Sequence, residues 1–377
     1  MKTIFFISSI GFPSKINKNV GIFTLEQAKA AEKENYPILI DLATNKTGKI
    51  YSDKIDGLII YRILYTKYNP VKIIKNFFFL KELIDNYKPE LTICSFLNLK
   101  NVLYTYFFNI KITNIIHGTD AVVRNFFLKI IYYLFLLKVK KIIVVSHYTR
   151  NVLLEYFTKK VIKKKTIVIQ NGISIDKLNL KNKNFHERIP SKRIIISCVA
   201  NFVTRKNIPF LIEVFSILNF RNPNKYHLII AGGKGNEENK INKLIKNYQL
   251  KDNISTMQNL LNSEISTLLN KSNFFCLFSK KHNHEFEGFG IVFAEAMYTK
   301  NIVLASKHGG IGEVVKNNFN GFSFDLEKFN VKEKIVNKIE FVSKNKKLQK
   351  KIINNAFNYS LNFSWSENIK KILNACL

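Results

Sequence analysis

"RIIISCVANFVTRKNI", residues 193 to 208, joins two kinds of segment. Its first half is branched and apolar, the composition of a strand buried on both faces. Its second half is polar and carries two adjacent cations, Arg205 and Lys206. A buried strand that runs at its carboxyl end into a polar turn is the repeating unit of a parallel α/β sheet, and ligands collect at such turns.

The unit recurs in both directions. Before it stand "TIFFIS", "PILIDL", "GLIIYR", "LTICS", "ITNII", "KIIVVS" and "TIVIQ"; after it come "YHLIIAG", "FFCLF" and "NIVLAS". Helical patterns separate several of them. In "FTLEQAKAAEKE", Leu25, Ala28, Ala31 and Glu32 follow helical spacing. This alternation predicts an α/β fold with helices on both faces of parallel sheets. A chain of 377 residues exceeds one ordinary core. The expectation is two Rossmann-like domains facing each other across a cleft, 1–180 and 190–360. The polar stretch 177–193 would join them, and an amphipathic helix within 361–377 would pack back on the first domain.

The formal charge is +32, from 59 Lys and Arg against 27 Asp and Glu. Such a balance favours acidic partners. Split after Leu178, however, the chain carries 28 bases and 12 acids (+16) before the cut and 31 and 15 (+16) after it. An even spread reads as background rather than as a nucleic-acid surface, and no nucleic-acid-binding motif is present. One segment departs from it. Between Arg124 and Lys165 there are eleven bases and one acid, interleaved with "NFFLKIIYYLFLLKVKK". This is the pattern of a helix lying on an anionic membrane, or of a buried helix with Lys129 and Lys138 at its edges. The run is too short to span a bilayer.

Cys94, Cys198, Cys276 and Cys376 show no metal-ligand spacing and read as reduced thiols of a cytoplasmic protein. No Asp-x-Asp and no His/Cys/Asp cluster calls for a metal. The start leads straight into a strand rather than a signal peptide.

The turns after the strands hold the candidate chemistry. "GFPSKINKNVGIF" has Gly11 and Gly21 around a polar loop; "HGTD" begins at His117; "NGI" holds Asn171 and Gly172; "GGKG" begins at Gly232; "GGIGE" begins at Gly309. "EFEGFGIVFAEAM", residues 285 to 297, sets Glu287 and Glu295 around the turn Gly288-Phe289-Gly290. Glycine turns that open helices favour phosphate, and Arg205 with Lys206 would neutralise a diphosphate. Carboxylates suit hydroxyl-rich ligands, and Glu295 in an apolar helix is costly unless it has donors. Together these residues describe a site for a nucleoside diphosphate carrying a sugar, with no other cofactor.

At this point the chain resembles glycosyltransferase family 4, retaining enzymes of GT-B architecture. The resemblance rests on Glu287, Gly288-Phe289-Gly290 and Glu295 in unbroken register, on the order of "HGTD", "SHYTR", "NGI", "RKNI", "AGGKG", "GGIGE" and "NGF", and on the late "FSW". It implies that Glu295 holds the nucleotide ribose and that Glu287 binds donor-sugar hydroxyls near the N–H groups of Phe289 and Gly290. Arg205 and Lys206 would bind the diphosphate as it leaves, and His117 would stand beside the anomeric carbon. Gly21 would let its loop close over the phosphates, while Asn171 and Gly172 would shape the cleft floor. Departures are Ala200-Asn201 where members often have Gly-Arg, Asn207 for a frequent glycine, and Ser174 for a frequent aspartate.

The implied reaction moves a sugar from a nucleotide sugar to a glycan or lipid-linked acceptor hydroxyl without a metal, in cell-surface polysaccharide, lipopolysaccharide or capsule assembly. The enzyme would work in the cytoplasm or peripherally on the inner membrane face. The alternatives are a sugar-nucleotide epimerase of the same form and a catalytically silent nucleotide-sugar-binding subunit.

Overall fold

A computed structural model describes residues 1–13, 21–66 and 69–377. The polar loop expected between Gly11 and Gly21 lies largely outside the described residues.

The chain divides into two compact units, 1–172 with 365–377, and 173–364. The division falls between Gly172 and Ile173. The polar stretch 177–193 therefore belongs to the second unit, where it forms the short helices Ile175–Leu178 and Lys183–Glu187. Phe185 from the second of these is buried with Ile195, Ile229 and Leu268, which is why a segment with linker composition is part of a core.

The first unit holds β1 (Lys2–Ser8), β2 (Asn35–Asp41), β3 (Tyr51–Ile55), β4 (Leu58–Arg62), β5 (Leu91–Ser95), β6 (Ile112–Ile116), β7 (Lys141–Val144) and β8 (Thr166–Val168). Their order in the sheet is β3-β4-β2-β1-β5-β6-β7-β8, and every pairing is parallel except the β3–β4 hairpin. The hairpin edge strand "YSDKI" is polar and half-exposed, so it lacks the apolar run that marks the others. In β1, Phe5 and Ile7 enter one core while Ile4 and Phe6 enter the other, the alternation expected of a doubly covered strand. The second core also takes Ile369, Ile372 and Cys376 of the helix Trp365–Cys376. That helix is tied to helix Ile22–Ala31 by Gln27 Nε2 donating to Asn368 Oδ1 at 3.1 Å.

The second unit contains β9 (Ile194–Val199), β10 (Tyr226–Gly232), β11 (Ile254–Gln258), β12 (Phe274–Leu277), β13 (Ile302–Ser306) and β14 (Phe322–Phe324). The order is β11-β10-β9-β12-β13-β14, all parallel. The strand order reverses between β9 and β12, and this switch point is where an open α/β sheet leaves a ligand crevice.

Candidate active site

The turns after β9 and β12 supply the switch-point residues. Thr204–Lys206 form a single 3₁₀ turn closed by Asn207 at φ 52°. Asn207 Nδ2 donates to the carbonyl of Phe278, and Lys280 N donates to the carbonyl of Arg205 at 2.9 Å. These bonds bind the two turns together and fix Arg205 and Lys206 beside Glu287. Arg205 Nη1 lies 2.8 Å and Lys206 Nζ 2.5 Å from the same oxygen, Glu287 Oε2. Burial alone would raise the Glu287 pKa; Lys206 first and Arg205 second outweigh it and hold the carboxyl below the ordinary glutamate range.

Glu287 is also held through its backbone. Gly310 N donates to its carbonyl at 2.8 Å. A Cβ on Gly309, whose φ is +62°, would come within 2.5 Å of that carbonyl oxygen, so glycine is required there for both reasons. Gly290, at φ +83°, opens the helix Ile291–Tyr298. Among the described residues the N–H groups of Phe289, Gly290 and Ile291 make no hydrogen bond, which leaves adjacent donors at a helix N-terminus. Phe289 is buried edge-on against Phe363, and Gly288 is buried beside it.

Glu295 lies on the same helix among buried Phe293, Ala294, Ala296 and Met297. Burial raises its pKa to about 7, with Lys177 pulling the other way. Its carboxyl makes no hydrogen bond among the described residues, so it sits near half ionisation at neutral pH. Gly232 ends β10 within the same unit, and a Cβ there would overlap the carbonyl oxygen of Ala200 at 1.9 Å.

The first unit gathers a different set. His117 follows β6, and its ring lies 4.6 Å from that of Phe96 and stacks at 5.7 Å on Phe23. Neither ring nitrogen has a hydrogen-bond partner among the described residues, and burial pushes the pKa down to about 4. The imidazole is therefore neutral at pH 7. Gly21, at φ +64°, begins the helix that carries Phe23. Phe23 also tilts against Trp365 at 6.2 Å, and Trp365 packs on Gly172 so closely that a Cβ would meet its backbone nitrogen at 2.5 Å. Asn171 beside it is buried with Oδ1 unpartnered among the described residues. Gly21, His117, Asn171 and Gly172 are thus linked through Phe23 and Trp365. Arg205, Lys206, Gly232, Gly288, Phe289, Gly290, Glu287 and Glu295 belong to the second unit.

Asp120 and Phe96, neither of them among the candidate site residues read from the sequence, support His117. Asp120 accepts from the N–H groups of His117 (2.9 Å), Gly118 (2.8 Å) and Leu97 (3.1 Å). It is a clamp on the turn, and its position three after His117 is a turn signature visible in "HGTD". Phe96 has φ 72°, an unfavourable conformation for a bulky side chain. Asn101 and Asn114 hold it by donating to its carbonyl at 2.8 and 3.1 Å. Nothing in the sequence marks that strain. Asp120→Asn is expected to loosen the turn and lower thermal stability by about 1–2 kcal/mol, because one amide face cannot accept all three bonds. Thermal unfolding with ligand absent measures this.

Among the described residues no group of three His, Cys, Asp or Glu side chains could hold a metal ion. The four cysteines are buried and unbridged.

Two parallel α/β units with their carboxyl-end turns equipped in this way define the GT-B class. The family model described as "Glycosyl transferases group 1" matches residues 180–359, so the second unit is that of a group 1 glycosyltransferase. An uncharacterised glycosyltransferase of Methanocaldococcus jannaschii is 30% identical over 259 residues, which cover 67% of this chain and 64% of that protein. The match thus spans somewhat less than two thirds of the curated relative. The fold is that of a glycosyltransferase from Rickettsia africae (TM-score 0.80, 24% identity, 99% of this chain and 97% of that one). It is also that of Anabaena HepE, whose structure was determined with UDP-glucose (TM-score 0.74, 15% identity, 100% of each chain).

Proposed function

We propose that the chain is a retaining glycosyltransferase that moves a sugar from a nucleoside diphosphate sugar to an acceptor hydroxyl. The observation that carries this reading is the convergence of Arg205 and Lys206 on one oxygen of Glu287, next to the unbonded N–H groups of Phe289, Gly290 and Ile291. Cations and free donors serve a diphosphate, and the adjoining carboxylate serves the sugar hydroxyls. The likeness of the fold to HepE, which binds UDP-glucose, supports the choice of ligand class.

In this reading Glu295 takes the ribose hydroxyls, with Gly232 leaving room beside β10. Charge grows on the departing diphosphate, and Arg205, Lys206 and the helix N-terminus stabilise it, each good donor contributing about 3 kcal/mol. Arg205 and Lys206 must then turn part of their charge from Glu287 to the phosphates. The acceptor attacks on the face the diphosphate leaves, and the leaving phosphate takes the acceptor proton, so no metal is needed. His117 is neutral and unpartnered, so it serves the anomeric centre as a polar wall without adding positive charge. Asn171 and Gly172 shape the floor.

Incubation with UDP-, GDP- and ADP-hexoses plus a glycan acceptor tests the reading. Release of nucleoside diphosphate only with acceptor, and an anomeric proton coupling that matches the donor, is the expected result. Interconversion of the donor without acceptor means an epimerase; binding without turnover means a silent subunit.

A lipid-linked acceptor, as in surface polysaccharide assembly on the cytoplasmic membrane face, is favoured by one observation. Helix Phe126–Lys138 buries Tyr132, Phe135 and Leu136 but leaves Phe126 (68%) and Phe127 (73%) exposed, with Ile130, Ile131 and Leu134 also exposed along its length. Phe107 (70%) and Phe78 (63%) are exposed and flank Phe77. No helix among the described residues is long and apolar enough to cross a membrane. In this reading the exposed Phe126 and Phe127, on the same helix as Lys129, meet the membrane interface. Lys138 and Lys165 are poor probes of it, because their ammonium groups donate to Phe108 and Val139 carbonyls at 2.8 Å. Phe126→Asp/Phe127→Asp is expected to reduce co-sedimentation with phosphatidylglycerol vesicles at least 10-fold; unchanged sedimentation contradicts membrane attachment.

A further inference from the structure

The second unit has a cavity that borders the Thr204–Asn207 turn and is lined by neither Arg205, Lys206, Glu287 nor Glu295. It has a volume of about 730 Å³ and is walled by Asn207 and Phe210, by Ser279 to Lys281 after β12, by Ser306 to His308 after β13, and by Asp325 to Glu327 after β14. That volume is in the range of small-molecule sites, about 300–1,000 Å³, and far larger than a bare anion needs.

The chemistry of the wall is uneven. Lys280, Lys281 and Lys307 contribute three ammonium groups, and among the described residues none pairs with Asp325, Glu327 or any other carboxylate. Three neighbouring unpaired cations attract a multiply charged anion such as phosphate. Asp325 and Glu327 work against a bare polyanion but accept hydroxyl protons, and Phe210 supplies carbon surface. Ser279 is fully buried, and its hydroxyl has no hydrogen-bond partner among the described residues, an unused capacity at the edge of the cavity.

We infer that this cavity binds a phosphorylated sugar, with the phosphate on Lys280, Lys281 and Lys307 and the sugar hydroxyls toward Asp325 and Glu327. The ligand is a free sugar phosphate or a phosphate-bearing residue of a longer glycan. This goes beyond the donor reading and does not depend on it, since none of the three lysines belongs to the donor site.

Calorimetric titration of the full chain with glucose 6-phosphate, inorganic phosphate and glucose tests the inference. Glucose 6-phosphate is expected to bind at least 10-fold more tightly than phosphate, with glucose showing no heat. Lys281→Ala/Lys307→Ala is expected to weaken that binding at least 10-fold while leaving the unfolding temperature and nucleoside diphosphate binding unchanged. Arg205→Ala is expected to leave it intact. Trehalose 6-phosphate separates the sources: tighter binding than glucose 6-phosphate points to a glycan residue, and equal or weaker binding to a free sugar phosphate. Equal affinity for phosphate and glucose 6-phosphate, no binding at all, or binding lost in Arg205→Ala and kept in the double lysine variant each overturns the inference.

Discussion

Glu287→Gln is expected to lower the rate of sugar transfer by at least 100-fold. The amide keeps the shape of the side chain but removes its charge from a site where Arg205 and Lys206 meet on one oxygen. Two consequences follow from the geometry. The cations lose the carboxylate that orients them toward the diphosphate, and the donor sugar loses a charged hydroxyl acceptor. A part-buried ion cluster that loses its central carboxylate, leaving only the long and exposed contact of Arg205 with Glu285, also destabilises the fold, by about 2–3 kcal/mol. The effects are separable: a shift in unfolding temperature measures the second, and turnover at a temperature where the variant is fully folded measures the first. A variant that is folded yet transfers sugar at the wild-type rate would remove Glu287 from the mechanism. The Glu287 carboxyl is held below the ordinary range, so its contribution to stability is present above the unfolded pKa and lost as pH falls through the lower folded value. The cluster is therefore intact throughout the neutral range.

Glu295 gives the second large effect, and its sign with pH is opposite. Its pKa is raised to about 7. Between the ordinary glutamate value and 7 the folded state holds a proton that the unfolded state releases, so stability declines as pH rises through that window. Glu295→Gln is accordingly expected to be more stable than wild type at pH 8, by about 1 kcal/mol once solvent access to the half-buried side chain is allowed for. The same substitution is expected to weaken nucleotide binding at least 10-fold, because hydroxyl donors favour the ionised carboxylate. Wild-type affinity is expected to rise between pH 6 and 8 with release of a proton, and this pH dependence is expected to vanish in the variant. Calorimetry in buffers of different ionisation enthalpy counts the proton. A residue that stabilises when removed and disables when removed is the mark of a binding site rather than of a packing position.

The sequence carried the sheet order's ingredients but not all of its strands. Eleven apolar runs announced themselves by branched residues and bounding turns. The polar hairpin edge at Tyr51–Ile55, "ISTMQ" at Ile254–Gln258 and the three-residue Phe322–Phe324 lie at or beside sheet edges, where burial no longer demands an apolar run. The division between units was misplaced by composition, because Phe185 anchors an otherwise polar stretch into the second core. For the candidate site, residue types and spacing pointed to Arg205, Lys206, Glu287 and Glu295. They said nothing of the shared carboxylate oxygen or of the raised pKa of Glu295, since both depend on what packs around the side chains. Phe96 was invisible because a strained backbone at phenylalanine leaves no mark in the sequence.

The most direct test of the donor reading is calorimetric binding of UDP, GDP and ADP to the full chain and to Lys206→Ala. The expected result is that one of the three binds wild type clearly better than the others and that the variant loses at least 10-fold in affinity for it. Binding of none of them by wild type, or equal binding by wild type and Lys206→Ala, would contradict the assignment of Arg205, Lys206 and Glu287 to a nucleotide-sugar site.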